Sequence, residues 1–101
     1  MKLNKDCVKD VLNYIIKNAT VEFTESNVGY KGLSLLSILD GVSNENAYDK
    51  EVVLHSVIFA NKYNLIDTNR QMGDGSKIVT SRVEIYDVTP YGYNFLEDKN
   101  D

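Results

Sequence analysis

The residues best suited to chemistry are a single histidine and a single cysteine. His55 has Glu51 and Ser56 as near neighbours along the chain, but a catalytic relay needs a nucleophile or a carboxylate that the fold brings close. Both neighbours fall on the same predicted helix as His55, and nothing in the sequence indicates a cleft. We therefore interpret His55 as a surface or half-buried imidazole and predict a protein without catalytic residues.

Cys7 falls on the apolar side of a predicted helix, where a thiol behaves as a small, unreactive hydrophobic group. The neighbouring cations Lys5 and Lys9 are balanced by Asp6 and Asp10. One cysteine cannot form an internal disulfide, and one Cys with one His cannot supply the usual four zinc ligands. The sequence therefore predicts no metal, no cofactor and a reducing, cytoplasmic environment.

A glycine-rich segment, Gly73-Asp74-Gly75, is the remaining candidate for a binding loop. It lacks the Lys-Ser/Thr pair that follows a phosphate-binding loop, and it lies between two predicted strands. We predict a hairpin turn over residues 72–76.

Size and charge limit the class of protein. A chain of 101 residues that is 43% hydrophobic predicts one domain spanning residues 1–101. The first six residues are too charged for a secretory signal, and no apolar run approaches the ~20 residues that cross a bilayer, so we expect no membrane partner. The net charge is −4, and residues 51–101 carry five cations against eight acids, which disfavours nucleic acid as a partner.

Apolar residues at three- and four-residue spacing predict an amphipathic first helix of about fifteen residues. Asn4 is expected to cap it, with Leu3 and Val8 as a hydrophobic staple. The predicted apolar face comprises Cys7, Val8, Val11, Leu12, Ile15, Ile16 and Ala19. Residues 20–24 alternate and predict a short strand that pairs with a later hairpin.

Two further helices are predicted in the middle of the chain. Ser34 is expected to cap a short second helix that ends at Asp40-Gly41, followed by a turn over residues 43–46. Asp49 is expected to cap a third helix of about fifteen residues, a length typical of a recognition helix. Its buried stripe is predicted to be Val53, Val57, Ala60 and Tyr63 or Asn64, and Asn64 takes the place of a C-terminal glycine.

The last third of the chain predicts strands and a closing helix. Leu65-Ile66 enters a strand, residues 78–88 have strand composition, and Thr89-Pro90 starts a helix because proline at the first helical position loses no hydrogen bond. Tyr93 or Phe95, with Leu96, is expected to pack against the first helix. Third helix, β-hairpin and short helix in that order predict an α+β, mainly helical, winged helix-turn-helix fold with three to four helices and a C-terminal hairpin wing.

The residues also carry a family resemblance. The opening residues 1–12, the segment Asn64-Leu65-Ile66-Asp67 and the closing residues 88–96 resemble a family of unknown function: small winged-helix proteins of Gram-positive bacteria and their phages. These proteins commonly have Ala-Gly-Leu-Ile where this chain has Tyr63-Asn64-Leu65-Ile66. The resemblance implies a fold and a phage or prophage origin, but no catalytic residue and no activity.

A winged helix can bind DNA, another protein or its own copy, so the fold alone does not choose among them. The third helix is predicted to expose Leu54 and Ile58 beside His55 and Lys62, and an exposed apolar pair favours a protein partner or a homodimer. The alternative is a DNA-binding transcriptional regulator. Its contacts would come from Lys50, Lys62, Arg70, Lys77 and Arg82.

The tyrosines can serve either the core or an interface, because an aromatic ring with a polar end suits both. We favour a core position for Tyr14, Tyr63 and Tyr93. Tyr86 and Tyr91 fit either a core or an interface position.

Overall fold

The computed structural model describes residues 2–69 and 83–97, which form an α+β fold that is mainly helical. This confirms the predicted class. The elements in chain order are α1 (Lys5–Asn18), β1 (Thr20–Phe23), β2 (Val28–Lys31), β3 (Leu33–Ser34), α2 (Leu35–Asn46), α3 (Lys50–Lys62), β4 (Ile66–Thr68), β5 (Glu84–Val88) and α4 (Pro90–Glu97).

Helix α1 begins as predicted, because the Asn4 side-chain oxygen accepts a hydrogen bond of 3.0 Å from the Cys7 amide. Five side chains of its apolar face are buried against the rest of the protein: Cys7, Val8, Val11, Leu12 and Ile15. Ile16, which we expected on the same face, is 40% exposed and lies beside it.

Strand β1 has a different partner from the predicted one. It pairs antiparallel with β2, from Thr20 opposite Lys31 to Phe23 opposite Val28, so the first hairpin is local. Thr24 and Asn27 close its turn, with the Asn27 amide donating to the Thr24 hydroxyl at 2.9 Å. Local closure costs less chain entropy than pairing with a strand fifty residues away.

Helix α2 is capped by Ser34 as predicted, with a 3.1 Å bond from the Ser37 amide. The prediction that Asp40-Gly41 ends it was wrong, and residues 43–46 are helical rather than a turn. Gly41 lies inside the helix, at a position where a Cβ would overlap the Tyr14 ring of α1. The helix instead ends at Ala47, which adopts the left-handed conformation with φ 59°.

Helix α3 begins after Asp49, whose carbonyl accepts from the Val52 and Val53 amides, although its side chain makes no capping bond. Val53, Val57 and Ala60 are fully buried, which confirms most of the predicted stripe. Asn64 follows the helix with φ 59°, a conformation that glycine and asparagine tolerate best.

A three-stranded antiparallel sheet covers the other side of the core, in the order β3, β5, β4. Leu33 faces Ile85 across one pair of strands, and Ile66 faces Val88 across the other. The predicted turn over 72–76 and the start of the long strand lie outside the described residues. Helix α4 begins at Pro90 as predicted, and Phe95 and Leu96 pack against the core.

The core lies between α1, α2, α3 and this sheet. Among the described residues, the two buried polar side chains are both satisfied, since Ser56 donates to the Val52 carbonyl at 2.9 Å and Asn61 donates to the Thr68 hydroxyl at 2.8 Å. Within the part of the chain that the structure describes, every helix is too short or too polar to cross a bilayer.

Candidate functional site

The outer face of α3 carries the residues predicted to bind a partner. His55 and Ile58 are half-buried and Lys62 is exposed, so all three are accessible from solvent. Leu54 is also half-buried, but it lies at the flank of the helix and packs against the core. The apolar patch on this face is therefore smaller than the exposed Leu54–Ile58 pair that the spacing predicted.

A groove beside the C-terminal end of α3 extends this face. It has a volume of about 540 Å³ and is open to solvent along one side. Phe59 forms its centre, with ring centroids 4.6 Å from Tyr63 and 6.2 Å from Phe95. The lining consists of Phe59, Tyr63, Leu65, Tyr91, Asn94, Phe95 and Glu97.

Helical geometry joins the groove to the α3 face. Phe59 follows His55 by four residues and precedes Lys62 by three, so the three side chains are neighbours along the helix surface. We call the outer face of α3 together with this lining the aromatic groove surface. The sequence analysis placed Tyr63 in the core and left Tyr91 open between core and interface, whereas both line the groove and are 57% and 66% exposed. Tyr93, also expected in the core, is 45% exposed but is not among the lining residues.

The closing motif of the chain builds the groove by fastening α4 to the end of α3. The Thr89 amide donates to the Leu65 carbonyl at 3.0 Å, and the Thr89 hydroxyl donates to the Asn64 carbonyl. The same hydroxyl accepts from the Gly92 amide at 3.2 Å. Gly92 is buried directly against the Leu65 carbonyl, in a space that a Cβ would fill. Asn64, Thr89 and Gly92 together therefore hold α4 against the end of α3, and we call these three residues the α3–α4 clasp.

Apart from His55, the groups that could support chemistry lie away from this surface. Cys7 is buried with its sulfur 3.9 Å from the Val52 carbonyl oxygen, and burial raises its pKa more than a hydrogen bond with Ser56 lowers it. Such a thiol is a poor nucleophile at neutral pH. The Tyr48 hydroxyl donates to an Asp10 carboxylate oxygen at 2.8 Å, and burial together with that carboxylate raises the Tyr48 pKa to about 12.

Among residues 2–69 and 83–97, no three His, Cys, Asp or Glu side chains are grouped closely enough to hold a metal ion. Only some of the cations predicted to contact DNA lie among the residues that the structure describes. Lys50 is exposed and pairs with Asp40 at 2.9 Å, and Lys62 is exposed at the other end of α3. Arg70, Lys77 and Arg82 lie outside the described residues.

Comparisons of the chain with protein-family models, with curated proteins and with solved structures gave no match.

Proposed function

We propose that this protein is a small, non-enzymatic winged-helix module that binds an apolar segment of another protein on the aromatic groove surface. Three features support the winged-helix assignment: α2 and α3 are joined by a connection of three residues, β4 and β5 follow α3, and β3 adds to β5 so that the sheet has the order β3, β5, β4. The resemblance of the closing residues to small winged-helix proteins of bacteria and phages supports the same fold.

The observation that carries the proposed function is the groove. Its volume lies within the ~300–1,000 Å³ range of ligand pockets, so it can receive several side chains but not a whole domain. Its lining is mostly apolar, and two of the residues that line it, Tyr63 and Tyr91, are 57% and 66% exposed. Aromatic residues with polar ends are enriched at protein interfaces.

An amphipathic helix is the partner segment that such a groove fits best, because large apolar side chains one turn apart can enter it together. The outer face of α3 adjoins the groove along the helix. Ile58 on that face would extend the contact with the bound segment beyond Phe59. Lys62 on α3 and Glu97 in the lining are of opposite sign and would set the direction of the bound segment.

Site-specific photo-crosslinking tests this proposal in the cells that produce the protein. A photoreactive amino acid at Tyr91, in the groove, is expected to form an adduct with a protein that a probe at Asn13, exposed on α1, does not capture. Binding of that protein, once purified, should weaken at least about tenfold with Tyr91→Ala, the loss expected for an aromatic anchor. Equal adducts at Tyr91 and Asn13, or none, would contradict the proposal.

The second candidate, a DNA-binding regulator, is favoured by the short connection between α2 and α3, which is typical of helix-turn-helix DNA readers. Its weakness is electrostatic, because residues 51–101 carry five cations against eight acids and α3 lacks arginine. We expect no tight binding to duplex DNA at physiological salt in electrophoretic shifts with host and phage genomic fragments. A nanomolar, salt-sensitive shift that Arg70→Ala or Arg82→Ala abolishes would replace the protein-binding proposal.

A further inference from the structure

The hairpin formed by β1 and β2 has one wholly apolar face. Val21 pairs with Tyr30 and Phe23 pairs with Val28, and alternation along each strand directs all four side chains to the same side. Their exposed fractions are 71% for Val21, 85% for Phe23, 75% for Val28 and 55% for Tyr30. We call these four residues the hairpin face.

The hairpin has little support from the rest of the molecule. Each of its strands contacts the other far more than any other described element, and the Tyr30 ring lies 6.2 Å from the ring of Tyr86 in β5. An isolated two-stranded hairpin is marginally stable in water unless its apolar face packs on something. Four large apolar side chains this exposed therefore indicate a surface that another molecule covers.

We propose that a second copy of this chain covers it, with the two hairpin faces stacked about a two-fold axis. None of the four side chains is charged, so the face offers no electrostatic feature that would select a chemically different partner. An apolar face of this kind is complementary to itself, which is the requirement for a two-fold contact. The surface lies apart from the aromatic groove surface, so the dimer does not depend on the proposed function.

The area is sufficient for a weak dimer. At roughly 200 Å² for each aromatic residue, the exposed parts of Phe23 and Tyr30 amount to about 280 Å². At roughly 120 Å² for each valine side chain, Val21 and Val28 add about 175 Å², so that a fully covered face contributes roughly 450 Å² per copy. Two copies would bury roughly 900 Å², just below the ~1,000 Å² of a small specific interface, before the flanking residues of the hairpin are counted. A concentration-dependent dimer is therefore expected, and one that salt strengthens, because each copy carries a net charge of −4.

Sedimentation velocity over a range from about 1 to 200 μM, where weak dimers of this size dissociate, tests the proposal. The wild-type mass should rise from 11.4 kDa towards twice that value as the concentration increases. Phe23→Glu should weaken the dimer at least about tenfold, because it places a charge at the centre of the apolar contact. The matched control is Thr20→Glu, which puts the same charge on the opposite face of the hairpin, across from Lys31.

Circular dichroism melts of both variants establish that they are folded, which the exposure of both sites leads us to expect. The proposal stands only if the wild-type protein self-associates and Phe23→Glu, but not Thr20→Glu, weakens the dimer. A wild-type monomer throughout the range would overturn it, including a monomer that instead cosediments with phosphatidylcholine vesicles. A dimer that Ile58→Asp disrupts and Phe23→Glu does not would overturn it in favour of the α3 face.

Discussion

Replacing Gly92 by alanine tests whether the α3–α4 clasp holds α4 in place. A Cβ at this position would overlap the Leu65 carbonyl oxygen and the Val88 Cγ1, and would lie 3.2 Å from the Leu65 carbonyl carbon. Two of the three neighbours are backbone atoms, which cannot rotate out of the way. Helix α4 must therefore retreat by about 1 Å to restore ordinary contact distances.

Three contributions set the magnitude. Overpacking of this kind costs about 1–3 kcal/mol, and weakening the two Thr89 hydrogen bonds to residues 64 and 65 costs about 1 kcal/mol each at most. The higher helix propensity of alanine offsets about 1 kcal/mol. We expect Gly92→Ala to lower the free energy of unfolding by about 2–3 kcal/mol, or the melting temperature by roughly 10–20 °C for a domain of this size.

Guanidinium unfolding followed by circular dichroism measures this loss, with an unchanged dependence on denaturant showing that the folded state remains compact. Asn94→Ala is the matched control, because Asn94 is exposed on the same helix, and it should change stability by no more than about 0.5 kcal/mol. If Gly92→Ala is as stable as the control, then α4 is not fastened as the contacts imply.

The remaining predictions concern the core, a helix end and a buried hydroxyl. Val57→Asp should unfold the domain, because Val57 is 0% exposed and the charge of the introduced aspartate would have no partner. Ile58→Asp, by contrast, should leave the melting temperature nearly unchanged. Equal melting temperatures for the two variants would refute the orientation of α3. Ala47→Gly should stabilise the protein by roughly 0.5–1 kcal/mol in urea unfolding, since Ala47 has φ 59° and glycine avoids the steric cost of that conformation; a destabilised variant would show that this helix end is not left-handed. Tyr48→Phe should cost about 1 kcal/mol through loss of the hydrogen bond to Asp10. The raised Tyr48 pKa adds a pH dependence, because the extra stability is fully present below the ordinary tyrosine pKa of 10.0 and is lost as pH rises through about 12. Wild type should therefore lose more stability than Tyr48→Phe over that interval, and parallel pH profiles would contradict the assigned bond.

Local features of the chain were predicted well where neighbouring residues decide them. The caps at Asn4 and Ser34, the start of α4 at Pro90 and the left-handed Asn64 all depend on hydrogen bonds or backbone torsions within a few residues. The buried stripe of α3 follows from three- and four-residue spacing for the same reason.

Errors arose where a residue's role depends on a partner far away in the chain. Gly41 resembles a helix end in sequence, but it lies within α2, where the absence of a side chain leaves room for the Tyr14 ring of α1. The aromatic residues were the other difficulty, since Tyr63 fits an apolar stripe by spacing yet lies at the exposed rim of the groove. Both outcomes are decided by packing between elements that the sequence does not place relative to one another.

The two candidate interfaces, the aromatic groove surface and the hairpin face, likewise depend on packing between elements. The α+β, mainly helical class followed from the sequence alone, because residue type, charge and periodicity are properties of the chain. The tertiary structure decided that Phe59 and Phe95 meet in one groove, and that the β1–β2 hairpin stands with its apolar face uncovered. Whether an apolar side chain is buried depends on which other element reaches it, and only the folded chain specifies those distances.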